Sequence, residues 1–319
     1  MGLIYLLILL FAAVFIYCFL SYEYAKKLIK AGVQRGYNWY ETTGHRLMNP
    51  AAFATVEKSR RKLEQQASSF WETGEKKTIK SHDGLKLSGS LFRQQSSSEW
   101  VIGVHDYRST GKRDLSFIGK KYFEQGYNVL IPDLRAHGES EGEIIGMCWL
   151  DRLDLIGWVN LVLEEYPDAT IIFHGESMGA SAIMMMSGEK LPKQVKGFIL
   201  DSGYVSVYAE LRYMLSKLTR FPKWLIMRYA NRYAQKYAGY SLKQASATRQ
   251  LGSNHLPILI LHGEYDHFVP VEAAYTVYGA TAGRKELFLI PKSEHLEAAA
   301  RDSEAYWQTI FTFIQKEIK

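Results

Sequence analysis

A single serine lies between two glycines in the stretch Gly175-Glu176-Ser177-Met178-Gly179, directly after an apolar run typical of a strand. The run that follows, Ser181 to Met186, is typical of a helix. A serine on a sharp strand-to-helix turn adopts strained backbone angles, and glycines two positions away let the strand and the helix pass without a side-chain clash. The pattern therefore predicts a serine hydroxyl presented for nucleophilic chemistry.

A serine hydroxyl becomes a strong nucleophile when a histidine takes its proton, and that histidine needs an acid to orient it. Asp266 follows the predicted strand Pro257–His262, and His295 follows the predicted strand Glu286–Ile290. Because parallel strands gather reactive groups at their carboxyl ends, we expect Ser177, Asp266 and His295 to meet at one edge of a sheet. Their types and order predict acyl transfer through the serine.

Two other residues could take these roles and are the weaker choices. His267 is the sequence neighbour of Asp266, so its side chain is expected to point away from that carboxylate. Asp201 follows the strand after the serine and is an alternative acid. Turn and strand-end histidines fit structural hydrogen bonding better: His137, His174 and His262.

Short apolar strands alternate with helix-length segments from about residue 78 to the carboxyl terminus. Continuous apolar runs are typical of strands buried on both faces, and the alternation predicts a doubly wound, mostly parallel sheet. The predicted strands are Thr78–Ser81, Leu85–Phe92, Trp100–His105, Tyr127–Pro132, Thr170–His174, Val195–Leu200, Pro257–His262 and Glu286–Ile290. The predicted helices are Asp114–Gln125, Asp151–Glu165, Ser177–Lys190, Val271–Ala280 and Leu296–Lys316.

A segment of 47 residues, Tyr204 to Gln250, interrupts this alternation with helical character and no clear strand. We interpret the segment 204–250 as a helical cap over the carboxyl edge of the sheet, since so long a connection is usually functional. It contains nine basic residues, seven tyrosines and a single acid, Glu210. Such a composition suits a membrane interface or an anionic substrate, whereas an ordinary solvated helix face is the simpler alternative.

The run from Leu3 to Leu20 has no charge and, at 18 residues, is long enough to cross a bilayer as a helix. A cleaved secretory signal is the alternative, but no basic residue precedes the run and Ser21 to Ala25 lacks a cleavage-site pattern. We therefore predict a transmembrane anchor over residues 1–25, a basic juxtamembrane connector over 26–71 and a catalytic domain over 72–319.

The positive charge of the chain is concentrated beside this anchor. Residues 1–62 contain nine basic side chains and three acids, which equals the net charge of +6 of all 319 residues. The basic segment 26–62 predicts contact with anionic lipid headgroups, and the positive-inside tendency favours a cytoplasmic catalytic domain on a cell membrane. Nucleic acid is not an expected partner.

Cofactor chemistry has no signal in the chain. The two cysteines, Cys18 and Cys148, are too widely placed to predict a disulfide, and the histidines have no metal-ligand spacing. No glycine-rich phosphate loop follows the first strand. We expect neither a metal nor a nucleotide cofactor.

From about Thr78 onward the chain resembles the α/β-hydrolase family of serine esterases, lipases and S33- or S9-like peptidases, as a membrane-anchored, bacterial-type member. The resemblance depends on four stretches: the nucleophile elbow at Ser177, Arg135-Ala136-His137-Gly138-Glu139-Ser140 after Pro132-Asp133, His262-Gly263-x-x-Asp266-x-x-Val269-Pro270, and Ser293-Glu294-His295. It implies an α/β-hydrolase fold in which Ser177 is the nucleophile, His295 is base and then acid, and Asp266 is the orienting acid.

The resemblance also implies an oxyanion hole made of the backbone N–H groups of Met178 and Tyr107. Here the chain departs from the family, because His105-Asp106-Tyr107-Arg108 has Asp106 where the family has glycine. A carboxylate beside an oxyanion hole is unfavourable unless it is paired. We expect Arg108 or Arg113 to pair it.

Together these features predict a membrane-anchored serine hydrolase that cleaves carboxylic esters, including lipid-derived ones, through an acyl-enzyme on Ser177. A serine peptidase of the same fold is the nearest alternative, because the three reactive residues do not separate ester from amide cleavage. A non-catalytic, membrane-tethered binding module is the alternative from another class; the serine, aspartate and histidine in order argue against it, and Asp106 is its only support.

Overall fold

The computed structural model describes residues 2–37, 50–219 and 222–319, and its centre is an eight-stranded sheet in the order β1-β2-β4-β3-β5-β6-β7-β8. The strands are β1 (Glu75–Lys80), β2 (Lys86–Phe92), β3 (Glu99–Val104), β4 (Asn128–Pro132), β5 (Thr170–Glu176), β6 (Val195–Asp201), β7 (Ile258–Gly263) and β8 (Lys285–Ile290). The β1–β2 and β2–β4 pairs are antiparallel and the remaining pairs are parallel. The predicted mostly parallel sheet is confirmed.

Helices cover both faces of this sheet. They are α1 (Gly2–Val33), α2 (Pro50–Gln66), α3 (Ser68–Trp71), α4 (Gly111–Glu124), α5 (Asp151–Glu165), α6 (Met178–Met186), α7 (Val207–Leu218), α8 (Lys223–Tyr237), α9 (Ala247–Leu251), α10 (Glu272–Ala280), α11 (Ala298–Arg301) and α12 (Ser303–Glu317). Alternate residues of β5 point to opposite faces: Ile171 and Phe173 enter one hydrophobic core and Ile172 enters the other. The two cores hold the sheet rigid beneath the ends of its strands.

Helix α1 extends beyond the predicted anchor and becomes part of the folded body. Residues 3–20 are apolar and almost wholly exposed, whereas Ala25, Leu28, Ile29 and Val33 are buried. This helical spacing of three and four residues places one face of α1 against α8. The exposed part is long and apolar enough to span a membrane, with a mean hydropathy of 2.9 over 18 residues, a property that signal sequences share.

The predicted connector also contains ordered helices that pack on the sheet domain. α2 lies against α4, and the side chain of Arg60 is largely buried there. Arg35 donates hydrogen bonds to the carbonyl oxygens of Ser140 (2.6 Å) and Gly138 (2.7 Å). Two cations of the basic segment therefore stabilise the fold itself, and a third, Arg46, lies outside the described residues.

The predicted cap contains α7, α8 and α9, and it packs against α1 through α8. The rings of Tyr22 and Tyr229 meet edge to face at 5.6 Å, and the Tyr17 hydroxyl donates a hydrogen bond to the carbonyl oxygen of Pro222 at 3.1 Å. The Trp224 side chain near this contact is 63% exposed. Arg220 and Phe221 of the predicted cap lie outside the described residues. The start of α8 thus lies beside the end of the exposed apolar segment.

Candidate active site

Ser177 occupies the turn between β5 and α6, with a positive φ of +50°. A Cβ atom on Gly179 would lie 2.1 Å from the carbonyl oxygen of Val104, and one on Gly175 would lie 2.6 Å from the backbone nitrogen of Ala180. Both glycines are therefore required by close backbone approach, as the sequence pattern predicted. The turn presents the hydroxyl above the carboxyl end of the sheet.

The structure brings the three predicted reactive residues into one hydrogen-bonded chain. His295 Nε2 lies 3.0 Å from Ser177 Oγ, and His295 Nδ1 lies 2.6 Å from Asp266 Oδ2. The other carboxylate oxygen, Asp266 Oδ1, accepts the backbone N–H groups of Phe268 (2.9 Å) and Val269 (2.8 Å). These distances allow proton transfer from the hydroxyl to the imidazole while the carboxylate holds the ring in place.

The electrostatics of His295 favour its protonated form. Burial opposes a charge on the ring, but Asp266, by charge and by hydrogen bond, outweighs it, and Asp106 and Asp201 add to the effect, so that the pKa of His295 is raised to about 9. The interactions that raise this pKa also stabilise the imidazolium that forms when the serine gives up its proton.

The two weaker sequence candidates lie elsewhere. The His267 side chain is 63% exposed and pairs with Glu294 at 3.1 Å. Asp201 accepts hydrogen bonds from the hydroxyls of Tyr306 (2.9 Å) and Ser202 (2.8 Å). In the part of the chain that the structure describes, neither side chain makes a hydrogen bond to the Ser177 hydroxyl or to His295; Asp201 accepts the Ser177 backbone N–H only through its own backbone carbonyl oxygen, at 2.8 Å.

The predicted oxyanion donors converge, but a carboxylate already lies between them. Asp106 Oδ1 accepts the backbone N–H of Tyr107 at 2.6 Å and that of Met178 at 3.2 Å. The expected pairing of Asp106 with Arg108 or Arg113 is wrong. Arg113 pairs with Glu57 at 2.6 Å, and Arg108 donates to the carbonyl oxygens of α1 and the residues after it.

The reason for the different position of Arg108 lies at the end of α1. The last carbonyl groups of a helix have no partner within it and attract cations. Arg108 binds the carbonyl oxygens of Ala31 (2.6 Å) and Gln34 (3.0 Å), and the hydroxyl of Tyr107 binds that of Gly32 (2.6 Å). The loop that carries the second predicted oxyanion donor is thus fastened to α1.

A narrow cavity of about 80 Å³ opens at Ser177 and has almost wholly apolar walls. One wall belongs to the buried end of α1 and the other to the cap: Leu28, Ile29, Val33, Val207, Leu211 and Met214. Glu210, the single acid of the cap, also lines it. Burial raises the pKa of Glu210 to about 8, and its Oε1 atom has no hydrogen-bond partner among the described residues.

A buried ion-pair network beneath the serine has no counterpart in the sequence analysis. Arg60 of α2 lies 2.7 Å from Asp114 and 2.9 Å from Glu176, the residue before Ser177. Asp114 in turn accepts the backbone N–H of Asp106 at 3.0 Å. In the sequence Arg60 is one of four basic residues within Lys58–Lys62, and nothing there distinguishes an internal cation from a solvated one.

One group of described side chains has metal-ligand proximity. Ligand atoms of His82, Asp83 and Asp154 lie within 4.8 Å of one another. The guanidinium of Arg135 already binds both carboxylates, at 2.8 Å to Asp83 and 2.6 Å to Asp154. Because both carboxylates are already paired with this guanidinium, the arrangement is an ion-pair cluster rather than a cradle for a cation.

Comparison with known proteins is consistent with the geometry of the site. A family model described as serine aminopeptidase, S33, matches residues 95–250, the region from β3 through the elbow and the cap. With the sheet order and the elbow described above, this match identifies the fold. The chain has the α/β-hydrolase fold.

Proteins similar in sequence to this chain include an uncharacterised protein, YqkD, of Bacillus subtilis, 26% identical over 237 residues, which cover 74% of this chain and 77% of YqkD. The esterase Pf2001 of Pyrococcus furiosus has a TM-score of 0.63 at 22% identity, covering 77% of this chain and 92% of the esterase. The acylaminoacyl peptidase of Pyrococcus horikoshii has a TM-score of 0.61 at 15% identity, covering 77% and 42%. The hydrolase fold is shared by an esterase and a peptidase, so substrate preference must come from the cavity.

Proposed function

We propose that the protein hydrolyses acyl bonds through an acyl-enzyme on Ser177. The observation that carries the proposal is the hydrogen-bonded chain from Ser177 through His295 to Asp266 at the mouth of an apolar cavity. In this mechanism Ser177 Oγ attacks the substrate carbonyl while His295 Nε2 takes its proton, and the N–H groups of Met178 and Tyr107 stabilise the oxyanion. The protonated His295 then protonates the leaving group.

The second half of the reaction returns the enzyme to its starting state. His295 takes a proton from a water molecule, which attacks the acyl carbonyl, and the proton passes to Ser177 Oγ as the carboxylic acid leaves. Each step reuses one histidine and one carboxylate. No cofactor is needed for this balance.

Carboxylic esters with apolar acyl groups are the proposed substrates, including lipid-derived esters. The walls contributed by α1 and α7 support this choice, because they offer apolar contact next to the reactive hydroxyl. A peptidase is the second candidate, supported by the S33 aminopeptidase match and by Glu210, which could face a substrate amine. A raised pKa of about 8 leaves Glu210 largely neutral near pH 7 and therefore a poor partner for an ammonium group, which favours the ester.

Turnover of two substrate series tests this choice. We expect kcat/KM for p-nitrophenyl esters of short and medium acyl chains to exceed that for aminoacyl p-nitroanilides by about a hundredfold, since the pocket selects by apolar contact. Faster cleavage of the anilides, together with loss of that activity in Glu210→Gln, would instead establish the peptidase.

We further propose that residues 3–20 anchor the protein in a cell membrane, with the basic segment 26–62 and the cap near the headgroups and the catalytic domain on the cytoplasmic side. The exposed apolar segment 3–20 of α1, the exposed Trp224 and the positive charge of residues 1–62 support this arrangement. Protection of the catalytic domain from external protease in intact cells tests the side.

Deletion of residues 2–20 is expected to release the protein from membranes without stopping hydrolysis of a water-soluble ester. The physical reason is that the buried contacts of α1 begin at Ser21. Membrane fractionation and kcat/KM measure the two effects.

The matched change is Leu28→Asp in the full chain. This variant should remain with the membrane and lose activity, because the substitution places a charge in the cavity wall. A deleted protein that still sediments with membranes would contradict the anchor.

A further inference from the structure

The position of the Asp106 carboxylate is unusual for a side chain beside a reactive serine. One oxygen, Asp106 Oδ1, accepts both N–H groups that the proposed mechanism assigns to the oxyanion, at 2.6 Å from Tyr107 and 3.2 Å from Met178. A substrate carbonyl oxygen needs the same two donors in the same place. The carboxylate therefore occupies the oxyanion hole.

A carboxylate and a developing oxyanion cannot share this site, because two negative charges at contact distance repel strongly where water is excluded. A cation paired with Asp106 would relieve the repulsion, but Arg108 and Arg113 bind other partners. The charge of Arg60 also acts on Asp106, yet its guanidinium is ion-paired with Asp114 and Glu176. The carboxylate has to leave the hole before the acyl group can react.

The backbone of the loop is held while the side chain is left to move. The backbone N–H of Asp106 binds Asp114, that of Arg108 binds His137 Nε2 at 3.0 Å, and the Tyr107 hydroxyl binds the Gly32 carbonyl oxygen. Burial lowers the pKa of His137 to about 3, so its ring is neutral and can accept the Arg108 N–H. These hydrogen bonds fix the backbone of the loop. Rotation of the Asp106 side chain alone is therefore enough to empty the oxyanion hole.

We propose that Asp106 is an internal, displaceable occupant of the oxyanion hole, which keeps Ser177 poorly reactive until the acyl group of a substrate takes its place. This inference rests on the acyl-transfer mechanism proposed above. It accounts for an acid at the position where the resembling family has glycine: the N–H donors are kept in place, and access to them is controlled. Asp106 acts on the reaction through these donors.

Two substitutions of Asp106 distinguish the effect of filling the oxyanion hole from the effect of the carboxylate charge. Asp106→Asn keeps an oxygen acceptor of similar shape without the charge, whereas Asp106→Ala empties the hole. The residue has no positive φ, so both side chains fit its backbone. The matched control is Asp168→Ala, an exposed carboxylate that precedes β5 and so lies at the opposite end of that strand from Ser177.

The rate of labelling by a fluorophosphonate and kcat/KM for a p-nitrophenyl ester are expected to rise in the order wild type, Asp106→Asn, Asp106→Ala. The gain for alanine should be at least roughly tenfold, because two hydrogen bonds to a charged acceptor no longer have to be broken. The control should match the wild type.

The pH profile adds a measurement that a purely structural role would not move. The titratable groups acting on His295 are Asp266, Asp106, Asp201 and Glu210. Activity requires neutral His295, so kcat/KM rises with pH through its pKa; loss of one of these negative charges lowers that pKa and should shift the acid limb to lower pH in both variants.

Equal or slower labelling in folded Asp106→Ala, judged by an unchanged thermal unfolding temperature, would overturn the inference. A fall in that temperature would be resolved by Asp106→Asn, whose labelling must still exceed that of the wild type. Ser177→Ala in the same experiment distinguishes failure of the proposed function from failure of the role proposed for Asp106. If labelling survives Ser177→Ala, the proposed function is wrong; if it disappears and the Asp106 series is flat, only the role of Asp106 is wrong.

Discussion

Replacement of Ser177 by alanine is expected to abolish fluorophosphonate labelling and to lower ester hydrolysis by a factor on the order of 10⁴ to 10⁶. The expectation follows from the hydrogen bond of 3.0 Å between Ser177 Oγ and His295 Nε2, which provides a base for this hydroxyl. Alanine removes the nucleophile but leaves the turn intact. Active-site titration and initial rates measure the two effects.

The matched control for this change is Ser187→Ala, at the other end of the same helix. The Ser187 hydroxyl donates to the carbonyl oxygen of Met184 and, among the described residues, makes no hydrogen bond to Ser177, His295 or Asp266. It should retain labelling. Folded wild-type protein that does not react with the probe, together with unchanged residual hydrolysis in Ser177→Ala, would favour the non-catalytic binding module.

The second large effect is expected from Asp266→Asn, with a loss in kcat on the order of 10⁴. The backbone N–H groups of Phe268 and Val269 both donate to one oxygen at this position. An amide placed there would turn its oxygen to those donors and its NH₂ group to His295 Nδ1. The ring would then carry its proton on Nε2 and could no longer accept the proton of Ser177.

Asp201→Asn is the matched control, because Asp201 is the alternative acid and is equally buried. Its carboxylate serves the hydroxyls of Tyr306 and Ser202. We expect at most a several-fold change in kcat, through the weaker influence of Asp201 on the pKa of His295. A larger loss for Asp201 than for Asp266 would exchange the two assignments.

The positions of Ser177, Asp266 and His295 could be predicted because each depends on local pattern and on one topological rule. A glycine-flanked serine marks a turn, and parallel strands end at one edge, so residues after β5, β7 and β8 must meet. All eight strands were predicted for the same reason, since buried strands are apolar runs bounded by turns. Their ends differ from the prediction by at most a few residues.

The features that the sequence analysis missed depend on side-chain direction across the fold. Asp106 was recognised as a departure, yet its carboxylate turns into the donors of its own loop rather than toward a neighbouring arginine. Arg60 looks like one more cation in a basic segment, but it lies beneath the serine. Contacts between residues far apart in the sequence are decided by how the helices pack on the sheet. A single sequence contains no periodic pattern that predicts which cation meets which carboxylate or carbonyl group.

Helix α1 is continuous from its exposed apolar end to the wall of the cavity. This continuity fixes the distance between the membrane surface and the reactive serine. At 1.5 Å per residue, Leu28 and Val33 lie about 12 and 20 Å along the helix beyond Leu20. If residues 3–20 span a bilayer and the helix is perpendicular to it, the reactive serine lies at about that distance above the membrane surface. A lipid would have to rise out of the bilayer by a comparable distance to present its ester, so amphiphiles that exchange readily with water should be cleaved faster than two-chain lipids of the same acyl length.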